Sequence, residues 1–119
     1  MNSVNFEKNS KQLLGYCWNL LFTKASEYAN DDDRLANFKQ ITSMMQTNPA
    51  QVAFWYDLKH IASLAKIVRE IDQGKIPTRE YLLEKMGDYL NYGMLIYATI
   101  IELIEENDGT KALPKESSS

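Results

Sequence analysis

Residues 78–106, TREYLLEKMGDYLNYGMLIYATIIELIEE, decide the fold. Thr78 follows Ile76-Pro77 and is suited to cap a helix. From there Leu82, Leu83, Met86, Leu90, Leu95, Ile96, Ile100 and Ile101 recur at helical spacing until Asn107-Asp108-Gly109 stops the run. Glu84, Asp88 and Asn91 fall at i, i+4 and i+7 and form one polar stripe on this otherwise apolar helix. So little of the surrounding surface is polar that part of the stripe has to face inward, where a carboxylate needs a partner. Gly87 and Gly93 point the same way. A glycine inside a helix costs roughly 0.5–1 kcal/mol relative to alanine, and is tolerated more readily where a backbone or ligand comes close.

Working outward, Asn48-Pro49 places a capping side chain before a proline at the first helical position, so a third helix is expected from there to about Asp72, with Gly74 as its stop. Helices three and four have the lengths of an antiparallel pair. Upstream, Asn30-Asp31-Asp32-Asp33 supplies N-caps for a short second helix carrying Leu35, Phe38, Ile41, Met44 and Met45. A first helix from about Asn5 to Tyr28 presents Phe6, Leu13, Leu14, Cys17, Leu20 and Leu21 as its core face. The expected fold is all-α: a compact bundle of about four helices in one domain over residues 1–111, with 112–119 a loose tail. Two tryptophans, Trp18 and Trp55, and seven tyrosines exceed what so few helices can cover, so a homo-oligomer, most simply a homodimer, is expected.

Composition narrows the function classes. The chain has 119 residues and 45% apolar content, enough for one core. A net charge of −3 and a pI near 5.1 argue against general nucleic-acid binding, which draws on clustered Lys and Arg. The amino-terminal residues lack a basic segment followed by an apolar one, and Tyr92–Ile101, the greasiest stretch, is about half of a bilayer span. Cys17, the single cysteine, cannot form an internal disulfide. These features fit a cytoplasmic protein with no membrane role.

Helix three supplies charges and rings to complement helix four. Trp55, Lys59, Ala62 and Lys66 share one face, and Tyr56, His60, Ser63 and Ile67 the adjoining one. Lys59 is placed to meet Asp88 or Glu84. An aromatic one turn before a cation suits a stacked base with a phosphate beside it, although Trp55 and Tyr56 serve equally as packing anchors. A lone histidine such as His60 is more often structural than a ligand. Arg34 and Asn37, one turn apart, pair a guanidinium for a phosphate with an amide for a base or sugar edge. The three aspartates before them lack the alternating ligands and glycine of a calcium loop, and read as a solvated cap.

Three segments carry a resemblance: Glu27-Tyr28 through Asp33-Arg34-Leu35-Ala36-Asn37-Phe38-Lys39; Leu58-Lys59-His60-Ile61-Ala62-Ser63; and Glu84-Lys85-Met86-Gly87-Asp88-Tyr89-Leu90-Asn91-Tyr92. Over roughly residues 10–103 the chain resembles small phage-encoded helical proteins allied to nucleotide-modification and MazG-like families. The resemblance implies a nucleotide-sized pocket between the helices, with Arg34, Asn37, Lys59, His60 and Asn91 as ligand-binding residues, to which the aromatic-before-cation spacing on helix three adds Trp55. It also implies Glu84 and Asp88 as ligands for Mg²⁺. MazG-like pyrophosphohydrolases hold that ion with several carboxylates on two helices. Helix three here has no Glu-x-x-Glu pair and only Asp57 in its middle.

Two functions of different class follow as expectations. One is a nucleotide-binding helical protein, which either hydrolyses a phosphate linkage with Mg²⁺ or sequesters a nucleotide signal of host defence. The other is a non-enzymatic interaction protein that inhibits a host defence complex by direct protein binding. A structural domain, in which the polar stripe only sets helix register, is the third possibility.

Overall fold

The computed structural model describes residues 1–28 and 33–109, with side chains placed for 1–23 and 33–109. Four helices follow in order: α1 Ser3–Tyr28, α2 Ala36–Met45, α3 Pro49–Ile71 and α4 Arg79–Asp108. No strand occurs among the described residues. None of the described helices is long and apolar enough to cross a membrane.

Local chemistry accounts for most of the boundaries. The Asn48 side chain accepts a hydrogen bond from the Gln51 amide at 2.9 Å, with Pro49 in the first turn of α3. The Thr78 hydroxyl accepts from the Tyr81 amide at 3.1 Å and starts α4. Between them Gly74 adopts φ +82°, a left-handed conformation that suits glycine, and reverses the chain. Gly109 closes α4 in the same region, at φ 68°. The start of α1 departs from the expectation of Asn5. Asn2 accepts from the Asn5 amide at 2.8 Å, so the helix begins at Ser3, ahead of its first apolar repeat. Asp33 does not supply the expected acidic cap of α2: Leu35 stands at the N-cap position with no side-chain cap bond, and the Asp33 carboxylate accepts from the Leu35 amide at 3.0 Å just ahead of the helix. Asn30, Asp31, Asp32 and the 112–119 tail lie outside the described residues.

Pairings between helices give the topology. His60 lies beside Asp88 and Tyr56 beside Tyr92, so α3 and α4 run antiparallel. Asn9 meets Arg79 and Tyr16 meets Gly87, so α1 runs parallel to α4 on a neighbouring side. The main core gathers where α2 lies across the pair: Leu35, Phe38, Val52 and Ala53 are buried, with Ile41, Tyr92, Leu95, Ile96 and Ala98 packed against them. Lys39 ties α2 down, with its ammonium 2.8 Å from Asp33 and 2.7 Å from Glu102 of α4.

Gly87 and Gly93 turn out to differ. A Cβ on Gly87 would sit 2.6 Å from the Tyr16 ring, so the glycine allows α1 to approach closely. Among the described residues nothing lies within 4 Å of a Cβ built on Gly93. The face expected to bury α1 is also only partly covered. Cys17 is buried and Leu13, Leu20 and Leu21 are half-buried, but Phe6 and Leu14 are exposed. The reason is that α1 packs on α4 along a narrow strip, centred on Tyr16 and Cys17 against Gly87. Trp18 and Phe22 pack edge to face on each other at 4.8 Å, with both rings exposed.

Candidate functional site

A cleft of about 520 Å³ opens where all four helical segments converge, a size within the range of small-molecule sites. Leu20 and Leu21 of α1 form one lip, and Arg34, Asn37, Phe38, Gln40 and Ile41 come from the entry to α2 and from α2 itself. Tyr56, Lys59 and His60 of α3 face Asp88, Asn91, Tyr92 and Leu95 of α4. The sequence produces this by helical spacing: positions i, i+3 and i+4 on α3, and i, i+3, i+4 and i+7 on α4, each bring one stripe to the same opening.

Aromatic rings make the wall. Tyr92 lies 5.0 Å from the His60 imidazole and 6.1 Å from the Tyr56 ring, and Phe38 stands 6.2 Å from Tyr56. The Lys59 ammonium lies 5.8 Å from the centroid of the Tyr56 ring. Arg34 is held in place on two sides. Its Nη2 donates to the Leu21 carbonyl at 3.0 Å, and its guanidinium lies 5.4 Å from the centroid of the Phe22 ring. Among the described residues, Arg34 Nε, a donor, and Asn91 Oδ1, an acceptor, are buried on the cleft's walls with no hydrogen-bond partner. Asn91 as a whole is 7% exposed.

The expected pairing of Lys59 with Asp88 or Glu84 is replaced by another. His60 Nδ1 stands 3.9 Å from Asp88 Oδ2, a charge contact when the imidazole is protonated and too long for a hydrogen bond. Lys59 and His60 are successive residues, about 100° apart around α3, so only one of them can point at Asp88. Of the residues singled out in the sequence, Arg34, Asn37, Lys59, His60, Asp88 and Asn91 share the cleft. Trp55 and Glu84 do not line it. Trp55 sits one residue off the Tyr56 stripe and is 44% exposed, and Glu84 lies a turn beyond Asp88 in solvent. Gln40 and Tyr92 carry no expected role from the sequence, and Tyr56, read there as a packing anchor, also borders the cleft. Tyr56 and Tyr92 were detectable as the helical neighbours of His60 and Asp88, at i−4 and i+4.

Electrostatics set two groups apart behind the cleft. Burial pushes the Asp57 carboxyl above its ordinary value of 3.8. Asp57 is 3% exposed and its Oδ1 has no hydrogen-bond partner among the described residues. Burial also raises the Cys17 thiol, and the nearby Asp88 carboxylate adds to the effect, so Cys17 stays protonated. Its sulfur lies 4.0 Å from the Gly87 carbonyl.

The donor set is short for a metal held by protein alone. Among the described residues no group of three or more His, Cys, Asp or Glu side chains comes together. Asp88 reaches the cleft and Glu84 does not, so a Mg²⁺ ion here would rest on one carboxylate and on oxygens from a ligand and water. The arrangement is equipped to hold a flat ring, an anionic group and a polar edge at once. The chain matches no protein-family model, no curated protein and no solved structure, so what is established of its kinship is a small all-α protein of four helices.

Proposed function

We propose that the chain binds a nucleotide in the four-helix cleft and sequesters it, the reading that the resemblance drawn from its sequence motifs also implies. The observation that carries this reading is the pair of buried, unpartnered atoms, Arg34 Nε and Asn91 Oδ1, on the walls of an aromatic-lined cleft. Buried polar groups are nearly always satisfied, and each exception calls for an explanation. A ligand with an anionic oxygen for Arg34 and a ring N–H for Asn91 satisfies both. Tyr56 and Tyr92 offer rings for the base to stack on, worth ~1–3 kcal/mol per base in other nucleotide sites. Lys59 supplies a second cation for a phosphate. Sequestration is favoured over hydrolysis because Glu84, the second expected metal ligand, stands outside the cleft.

Calorimetric titration with mononucleotides, cyclic nucleotides and the matching nucleosides tests this, each with and without Mg²⁺. A phosphate-bearing ligand is expected to bind more tightly than its nucleoside. Arg34→Gln should weaken the nucleotide and leave the nucleoside nearly unchanged. Asn91→Leu should weaken both. Absence of binding by every compound at millimolar concentration would sink the reading.

A further inference from the structure

The outer surface of α4 carries a second apolar stripe, and we propose that a second copy of the chain docks on it, α4 against α4, to form a twofold dimer. The inner face is marked by Gly87, Asn91 and Thr99, all buried. About 180° around the helix lie Leu82, Gly93, Tyr97, Ile100 and Ile104. Tyr97 is 69% exposed, Ile104 48%, Ile100 44% and Leu82 40%. A helix that is apolar on opposite faces belongs in the interior of an assembly, and α1, α2 and α3 cover only one of these faces.

Three features select a second copy as the occupant. Gly93, Tyr97, Ile100 and Ile104 follow a four-three-four spacing, the repeat with which like helices mesh along a seam. Gly93 adopts no left-handed conformation and meets nothing within 4 Å among the described residues, so its place in the stripe suits a close approach from outside. The stripe carries no charge from Leu82 to Ile104, whereas the chain as a whole carries −3, and an acidic molecule associates with itself most readily through neutral surface. Helix α1 has a comparable glycine, Gly15, next to Trp18, but its stripe runs into the exposed Glu7–Lys11 ion pair. At ~150–250 Å² for a fully exposed aromatic side chain, and somewhat less for Leu or Ile, the exposed fractions of Leu82, Tyr97, Ile100 and Ile104 amount to about 450 Å² per copy. Two copies with their rim atoms then reach the ~1,000 Å² expected of a biological interface.

Light scattering of the full chain at tens of micromolar should give twice the 13.7 kDa chain mass. Tyr97→Glu combined with Ile100→Glu should yield a monomer that keeps its helical circular dichroism. Gly93→Leu should weaken the dimer at least tenfold, because the added side chain occupies the crossing point. A helix glycine facing only solvent would predict a more stable protein of unchanged mass. If the double variant misfolds, Tyr97→Cys provides a second measurement: mild oxidation should link two chains through position 97, since Cys17 is buried. A wild-type monomer would overturn the proposal. So would a dimer that withstands the α4 substitutions, one that breaks instead with Trp18→Glu, or one that fails to cross-link at position 97. None of these outcomes depends on whether the cleft binds a nucleotide.

Discussion

Asp57 shows how one residue can run against the fold that contains it. Its carboxyl is buried on the inner face of α3, and burial raises its pKa above 3.8. Between that value and the raised one, the native state keeps a proton that the unfolded chain releases. Stability therefore falls as pH rises through this window, and the whole penalty is present above it. Asp57→Asn removes the charge and nearly preserves the shape. The variant should melt at a higher temperature than the wild type at pH 7, and the difference should shrink as pH is lowered toward 3.8. Thermal unfolding across a pH series reads both effects. A variant less stable at pH 7 would mean that the carboxylate makes an attractive interaction, and the argument from burial would fail.

At the scale of elements, α2 is the weakly held member of the bundle. Ten residues are too few for an isolated helix to persist in water, so its stability comes from what it touches. Leu35 and Phe38 supply the apolar contact, and Lys39 the polar one. Its hydrogen bond to Lys39 holds Asp33 below its ordinary pKa, so this contribution is present above pH 3.8 and is lost as pH falls through the depressed value. The three partners are each about a third exposed, so Lys39→Met should destabilise by only about 0.5–1 kcal/mol at low salt. The loss should fade near ~1 M salt, where the screening length is only ~3 Å. A loss that persists at high salt would show that the lysine stem, rather than its charge, holds α2.

The same elements show what was legible in the sequence. Asn48, Thr78, Gly74 and Gly109 act on the three or four residues beside them, so their signals survive without knowledge of the fold. Six of the eight proposed site residues gather in one cleft, and those on α3 and α4 do so because helical spacing already defines their stripes. What spacing cannot supply is the partner of a stripe. Phe6 and Leu14 belong to the apolar face of α1, yet none of the described helices covers them. Trp55 and Tyr56 are equally aromatic neighbours, and only the position of α4 decides that Tyr56 borders the cleft. Gly87 and Gly93 likewise look alike in sequence, and the approach of Tyr16 to one of them separates the two.

For the whole molecule, the cleft draws on all four helical segments, so a bound nucleotide should act as a brace across the bundle. A ligand that binds only the folded state at ~100 times its dissociation constant adds about 2.7 kcal/mol of stability. For a chain of this size that corresponds to a rise of about 8–15 °C in Tm. The effect should be uneven within the structure. Opening of α2 takes Asn37, Phe38, Gln40 and Ile41 away from the cleft and uncovers the buried Phe38 ring. Amide hydrogen exchange in the free protein should therefore be faster across 36–45 than in the middle of α3 or α4. Saturating nucleotide should slow exchange in 36–45 by a larger factor than anywhere else, because the ligand would join α2 to Lys59 and Asn91 on the opposite wall. Protection that appeared on α1 or the outer face of α4 while α2 stayed unchanged would place the nucleotide elsewhere, even if Tm rose as expected.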